Sequence, residues 1–139
     1  MLQLTSWVFL LCSVVEASAQ STVAVTVEGI REVSGSVRVA LFDNKRDFLE
    51  WPVYTGSTPV EGKAVVVYLH DVSVGKYGLS VFHDLNNNRE LDTNGIGIPT
   101  EDFGFGNDAM GLFGPPSFYR ASIEVNGDSV RVRLRLRHF

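Results

Sequence analysis

The residues whose types and spacing most clearly suggest chemistry are Asp84-Leu85-Asn86-Asn87-Asn88-Arg89-Glu90-Leu91-Asp92. With Asp84 as position 1, oxygen-bearing side chains stand at positions 1, 3, 5 and 9. A tight loop with that alternation turns its oxygens inward, as a hard cation such as Ca2+ requires. Asp84, Asn86 and Asn88 would donate side-chain oxygens, and Glu90 its backbone carbonyl. Asp92 would bind directly or through water, and Leu91 would pack the loop onto its scaffold. Two positions depart from the pattern. Arg89 stands where glycine ordinarily makes the sharp turn, so left-handed backbone there would be strained. Gly95 stands where a bidentate Glu would close the shell, leaving Glu101 and Asp102 to fold back and supply it. Between Asp84 and Asp108 six acids stand against Arg89 alone, a crowding that solvent or a cation must neutralise. The expectation is a calcium site of modest affinity built from Asp84, Asn86, Asn88, Glu90, Asp92 and Glu101. Its competitor is an Asx-rich turn that bonds only its own backbone.

Other chemistries find less support. His70, His83 and His138 are scattered, and His83 alternates in phase with Leu79 and Val81, as a hydrogen-bonded core histidine would. Neither a nucleophile elbow around a serine nor a His-Glu-x-x-His helix occurs. Glu101 and Asp102 are adjacent, so on an extended segment their carboxylates point apart, which is poor geometry for paired acid–base work. Gly104-x-Gly106 lacks the strand, helix and Lys of a phosphate loop. With 12 Lys+Arg against 16 Asp+Glu and a net charge of −4, nucleic acid is not the expected partner.

The elements that must position these residues are strands. Apolar residues recur with a period of two at Val23/Val25/Val27, Val37/Val39/Leu41, Val65/Val67/Leu69 and Tyr77/Leu79/Val81. Tyr119/Ala121/Ile123/Val125 and Val130/Val132/Leu134/Leu136 continue the pattern. Each run is a half-buried strand. Ser34-Gly35 and Asn126-Gly127-Asp128 are hairpin signals, and Val74-Gly75-Lys76 leads into a strand. No helical period is sustained beyond a turn or two around Asp47–Trp51. The expected fold is all-β, a single antiparallel β-sandwich with two long loops, Asn44–Gly62 and Asp84–Pro116. Phe48, Trp51 and Tyr54 in the first loop should close one end of the sandwich. In the second, glycines and prolines between Ile96 and Phe118 make a stiff path anchored by Phe103, Phe105, Phe113 and Phe118. Packed over a sheet edge, that path could also form a ligand-binding rim displaying Glu101, Asp102, Asn107 and Asp108. Arg131, Arg133, Arg135 and Arg137 share one face of the last strand, expected to pair with acids such as Glu28 or Glu124.

The first residues read as an address. An apolar run from Leu2 to Val15 precedes Ala17-Ser18-Ala19, the small residues a signal peptidase reads, so residues 1–19 are expected to be a cleaved secretory signal. Residues 20–139 would then form one domain, exported to the periplasm or secreted. Cys12, the only cysteine, would leave with the signal, taking with it any disulfide or thiolate site. The mature chain has no stretch apolar and long enough to cross a membrane as a helix.

A family resemblance rests on Val81-Phe82-His83-Asp84, Asn86, Asn88, Leu91-Asp92, Gly97-Ile98-Pro99, Glu101, Phe103-Gly104-Phe105, Asn107 and Pro116-Ser117-Phe118. In this order they resemble the exported, uncharacterised bacterial family catalogued as domain of unknown function 2141, over most of the mature chain. That family typically has Gly where this chain has Arg89. The Asp-x-Asn-x-Asn loop and the Gly75…Tyr77 approach are also similar to prealbumin-like repeats of bacterial surface proteins, whose loops bind calcium. The resemblance implies an immunoglobulin-like or prealbumin-like sandwich and supports a metal by analogy only. The functional expectation is an exported binding module with a calcium-organised loop and an unidentified ligand or envelope partner. The alternatives are a purely structural envelope protein without metal and a metal-dependent enzyme using His83 and the acidic loop.

Overall fold

A computed structural model describes residues 12–14 and 18–139. Most of the expected signal segment lies outside the described residues. Eight strands follow in chain order: β1 (Gln20–Glu28), β2 (Ser36–Phe42), β3 (Tyr54–Pro59), β4 (Val65–Ser73), β5 (Gly75–Asp84), β6 (Phe103–Phe105), β7 (Ser122–Val125) and β8 (Ser129–Arg135). They form a β-sandwich of two sheets. One has the order β4-β1-β8; the other has the order β3-β2-β5-β6, with β7 also on β5. β6 and β7 divide one edge of β5 between them, β6 opposite Ser80–Phe82 and β7 opposite Gly75–Gly78.

The alternation seen in the sequence decides which residues meet between the sheets. Val23, Val25, Val27, Val67, Leu69 and Leu134 come from one sheet. Val37, Val39, Leu41, Leu79, Val81 and Ile123 come from the other, and all are buried. Each such Val, Leu or Ile side chain removed from water contributes about 1.5–3 kcal/mol before entropy is counted.

The topology differs from the expected one in four respects. The turns at Ser34-Gly35 and Asn126-Gly127-Asp128 are not hairpins: each carries the chain from one sheet to the other, as Val74-Gly75 does between β4 and β5. Gly35 takes φ +64°, and a Cβ there would lie 2.2 Å from the Asp84 carbonyl. That turn therefore needs glycine for close approach as well as for its backbone sign. The residues that reverse a hairpin also serve a crossover, because both need the same tight change of direction. Second, β8 runs parallel to β1, with Thr22 opposite Ser129 and Glu28 opposite Arg135, whereas the other named ladders are antiparallel. Third, the Asn44–Gly62 connection contains β3, whose short polar residues hide its periodicity; residues 45–50 form a turn, with Leu49 at φ +67° and Trp51 N–H on Asp47 O at 2.9 Å, in place of a helix. Fourth, Tyr119 and Ala121 precede β7 in a turn closed by Ala121 N–H on Ser117 O.

The aromatic trio of the first loop is split among three jobs. Phe48 packs edge-on against Phe42 and Phe118, and Tyr54 packs edge-on against Tyr77. Trp51 is largely exposed.

Candidate functional site

Alternation along β5 sends His83 and Asp84 to opposite faces. His83 lies in the core with Leu79 and Val81, its Nε2 2.6 Å from the Ser34 carbonyl oxygen. It is the hydrogen-bonded core histidine the phase suggested. The enzyme alternative needs His83 and the loop acids at one open site, and this orientation separates them.

Asp84 points to the outer side of the five-stranded sheet, where Arg38 on β2 meets it with Nε–Oδ2 at 2.5 Å. Its side chain is 0% exposed, against 23% for Arg38. The loop then wraps the same carboxylate: Asn88 N–H donates to Oδ1 at 3.1 Å and Arg89 N–H to Oδ2 at 2.8 Å. Burial pushes the Asp84 carboxyl up, but the Arg38 hydrogen bond, the two backbone N–H groups and the guanidinium charge outweigh it and hold the pKa below the ordinary value. Arg89 adopts φ +67° and Asn87 φ +55°, so the loop takes the left-handed turn expected at its sixth position without the glycine that makes it inexpensive.

Glu101 folds back onto the loop as anticipated. Its Oε1 accepts Leu85 N–H at 3.0 Å and its Oε2 accepts Asp92 N–H at 3.1 Å. Burial, with smaller repulsion from Asp92 and Asp84, outweighs those bonds and raises its pKa. The Asn86 and Asn88 amides donate to the two oxygens of Asp92 at 2.8 and 2.6 Å. Thus Asp84, Asn86, Asn88, Asp92 and Glu101 converge in one network. Glu90 enters only through its backbone N–H, which donates to Asn88 Oδ1.

Whether calcium fits can be tested on these donors. Among the described residues no group of three or more His, Cys, Asp or Glu side chains could by itself hold a metal ion. The expected shell must therefore draw on the Asn amides and the Glu90 carbonyl as well as on the carboxylates. The turn is already formed and its oxygens lie on one loop, which fits. Arg38 on Asp84 opposes, since a guanidinium supplies charge that a cation would otherwise bring.

Of the rim residues expected to be displayed, Glu101 and Asp102 are buried, whereas Asn107 and Asp108 are exposed and also serve as ties. Asp102 is buried and bound through both oxygens by Arg31 at 2.8 Å, with His138 Nδ1 at 3.0 Å. Asn107 donates to the Arg120 and Ser122 carbonyls, and Asp108 accepts Arg135 N–H at 2.8 Å. The segment also displays apolar side chains: Phe113 is 98% and Leu112 90% exposed, so Phe113 does not anchor as Phe103, Phe105 and Phe118 do.

That segment frames the feature the sequence reading missed. The outer side of the five-stranded sheet is the floor of a groove of about 1290 Å3. Ala40, Phe42, Ser80, Phe82, Phe103 and Phe105 lie along the floor, while Ile98, Met110, Leu112 and Phe113 stand on one wall and Leu49 and Pro52 on another. Arg38 and Arg89 are the charged residues lining it, and neither Asp nor Glu does. A faint signal was present: Phe42 and Phe82 stand at strand positions that the alternation assigns to solvent.

No curated protein and no solved structure matches the chain. Residues 25–133 match the bacterial family described as "Uncharacterized protein conserved in bacteria (DUF2141)", and the chain belongs to that family.

Proposed function

We propose that this protein is an exported binding module that holds an apolar ligand on the outer side of its five-stranded sheet, with the Asp84–Asp92 loop as the end wall of the site. The observation that carries this reading is the groove itself. Phe82, Phe103 and Phe105 come from regular strands, so its floor is rigid, whereas Leu112 and Phe113 stand exposed above it. A concave apolar surface of this size with a few polar groups at one end is the usual form of a small-molecule site. The test is fluorescence of the neutral dye N-phenyl-1-naphthylamine with the full chain. Enhancement that falls in a Leu112→Ser, Phe113→Ser variant supports the reading, and no enhancement in the wild type overturns it.

Calcium belongs to the same proposal as the organiser of the end wall, and the left-handed turn at Arg89 favours it. Asp84, Asn86, Asn88, Asp92 and Glu101 would supply side-chain oxygens and Glu90 its carbonyl. An ion at tenfold excess over its Kd would stabilise the fold by about 1.4 kcal/mol. Melting temperature should therefore rise in millimolar Ca2+ relative to EDTA, and Asp92→Ala should abolish the difference. Identical wild-type melting in both conditions leaves the loop a self-bonded turn and removes calcium from the proposal.

A further inference from the structure

We infer that the groove takes an amphipathic anion, a free long-chain carboxylate, with its head on Arg89 and its alkyl chain along the strand floor. This inference rests on the binding reading above and names the ligand class.

The chain carries a net charge of −4, yet the charged side chains lining the groove are two arginines. They are not equivalent. Arg38 is neutralised by buried Asp84. Arg89 is exposed and forms no ion pair among the described residues. Both sit at the same end, because the Arg38 side chain and the Arg89 backbone N–H share Asp84 Oδ2.

Away from that end the register gives Arg38 opposite Phe82, Ala40 opposite Ser80 and Phe42 opposite Gly78. At roughly 3.3 Å per residue, Arg38 to Phe42 gives about 13 Å of floor. Its side chains become wholly uncharged, with Phe103 and Phe105 alongside. A neutral ligand would leave the Arg89 cation unused, and a small anion would leave the aromatic floor wet. One molecule with a charged head and an apolar tail satisfies both ends.

The test compares dodecanoate with dodecanol as displacers of N-phenyl-1-naphthylamine from the full chain. A charge-assisted contact at Arg89 should make dodecanoate displace the dye at about tenfold lower concentration. Added salt should shrink that margin, because the site is open to solvent. Arg89→Gln should bring the two displacers level, each displacement being referred to the variant's own dye affinity. Ala40→Trp, which fills the floor, should weaken dye and dodecanoate together. Equal displacement in the wild type overturns the anionic head while leaving the apolar site standing. Failure of the dye to bind the wild type overturns both. Binding to phosphatidylglycerol vesicles without binding to free dodecanoate also overturns the inference, in favour of a membrane surface.

Discussion

On the outer side of the three-stranded sheet, Thr22, Thr26, Glu28, Tyr68, His70 and Arg133 meet solvent. They are joined by contacts such as Arg133–Glu28 at 3.2 Å and the stacked Tyr68 and His70 rings. On the outer side of the five-stranded sheet, Phe103 and Phe105 are buried, Phe82 and Met110 pack against them, and the ion pair beside Phe82 is sunk beneath a loop. Both sheets bury their inner faces, which the fold requires. Only one also covers its outer face, and it does so with the glycine- and proline-rich segment that follows β5. Charges therefore have different consequences on the two faces. On the first they are solvated and replaceable; on the second the Arg38–Asp84 pair is largely desolvated and mutually committed, while Arg89 stays exposed at the end of the groove.

The sharpest way to break this contrast is to remove one acid from each face. Asp84→Ala strips Arg38 of its partner, leaves the Arg89 N–H without an acceptor and leaves the Asn88 N–H only its longer bond to Asn86 Oδ1, a loss of about 3 kcal/mol by urea unfolding. Glu28→Ala, whose partner Arg133 is 73% exposed, should cost less than ~0.5 kcal/mol. Comparable losses would mean that the two faces are not energetically distinct. The pH dependence sharpens the point. Because the folded pKa of Asp84 lies below the ordinary 3.8, its stabilisation is complete above that value and disappears as pH falls through the folded pKa. The stability gap between wild type and Asp84→Ala should therefore narrow in that acid range. Glu101 acts in the opposite sense. Its raised pKa means that it opposes folding when ionised, and this penalty is relieved as pH falls from its folded value toward 4.5. The smallest effect is a gain. Arg89→Gly should relieve left-handed strain and stabilise the protein by about 1 kcal/mol in thermal melts. In the dye assay it should behave like Arg89→Gln.

Much of this architecture could be read from the residues alone. Strict alternation placed the core strands, and the phase of His83 with Leu79 and Val81 placed its ring inside. The spacing from Asp84 to Asp92, together with Glu101, delimited a loop that does close on itself. What could not be read depends on partners distant in sequence. Ser34-Gly35 reverses the chain equally well into a hairpin or across to the other sheet, and the choice depends on where β2 finds β5. The parallel β1–β8 ladder joins opposite ends of the chain, and periodicity carries no information about direction. Arg38 looked like any solvent-side residue of β2 until the register set it beside β5 and Asp84. The groove was hidden for the same reason: Phe42, Phe82 and Leu112-Phe113 fall in three separate stretches and become one surface only when folded.

One local feature bears on how copies of this protein can meet. At Phe103 the backbone pairs with β5 on one side and, through reciprocal bonds of 3.0 and 2.7 Å, with Arg137 on the other. That stitch uses the hydrogen-bonding groups which an edge strand would otherwise offer to a neighbouring molecule. Sheet-to-sheet polymerisation is blocked along this margin, so a contact made there would have to proceed through side chains rather than through a shared backbone ladder.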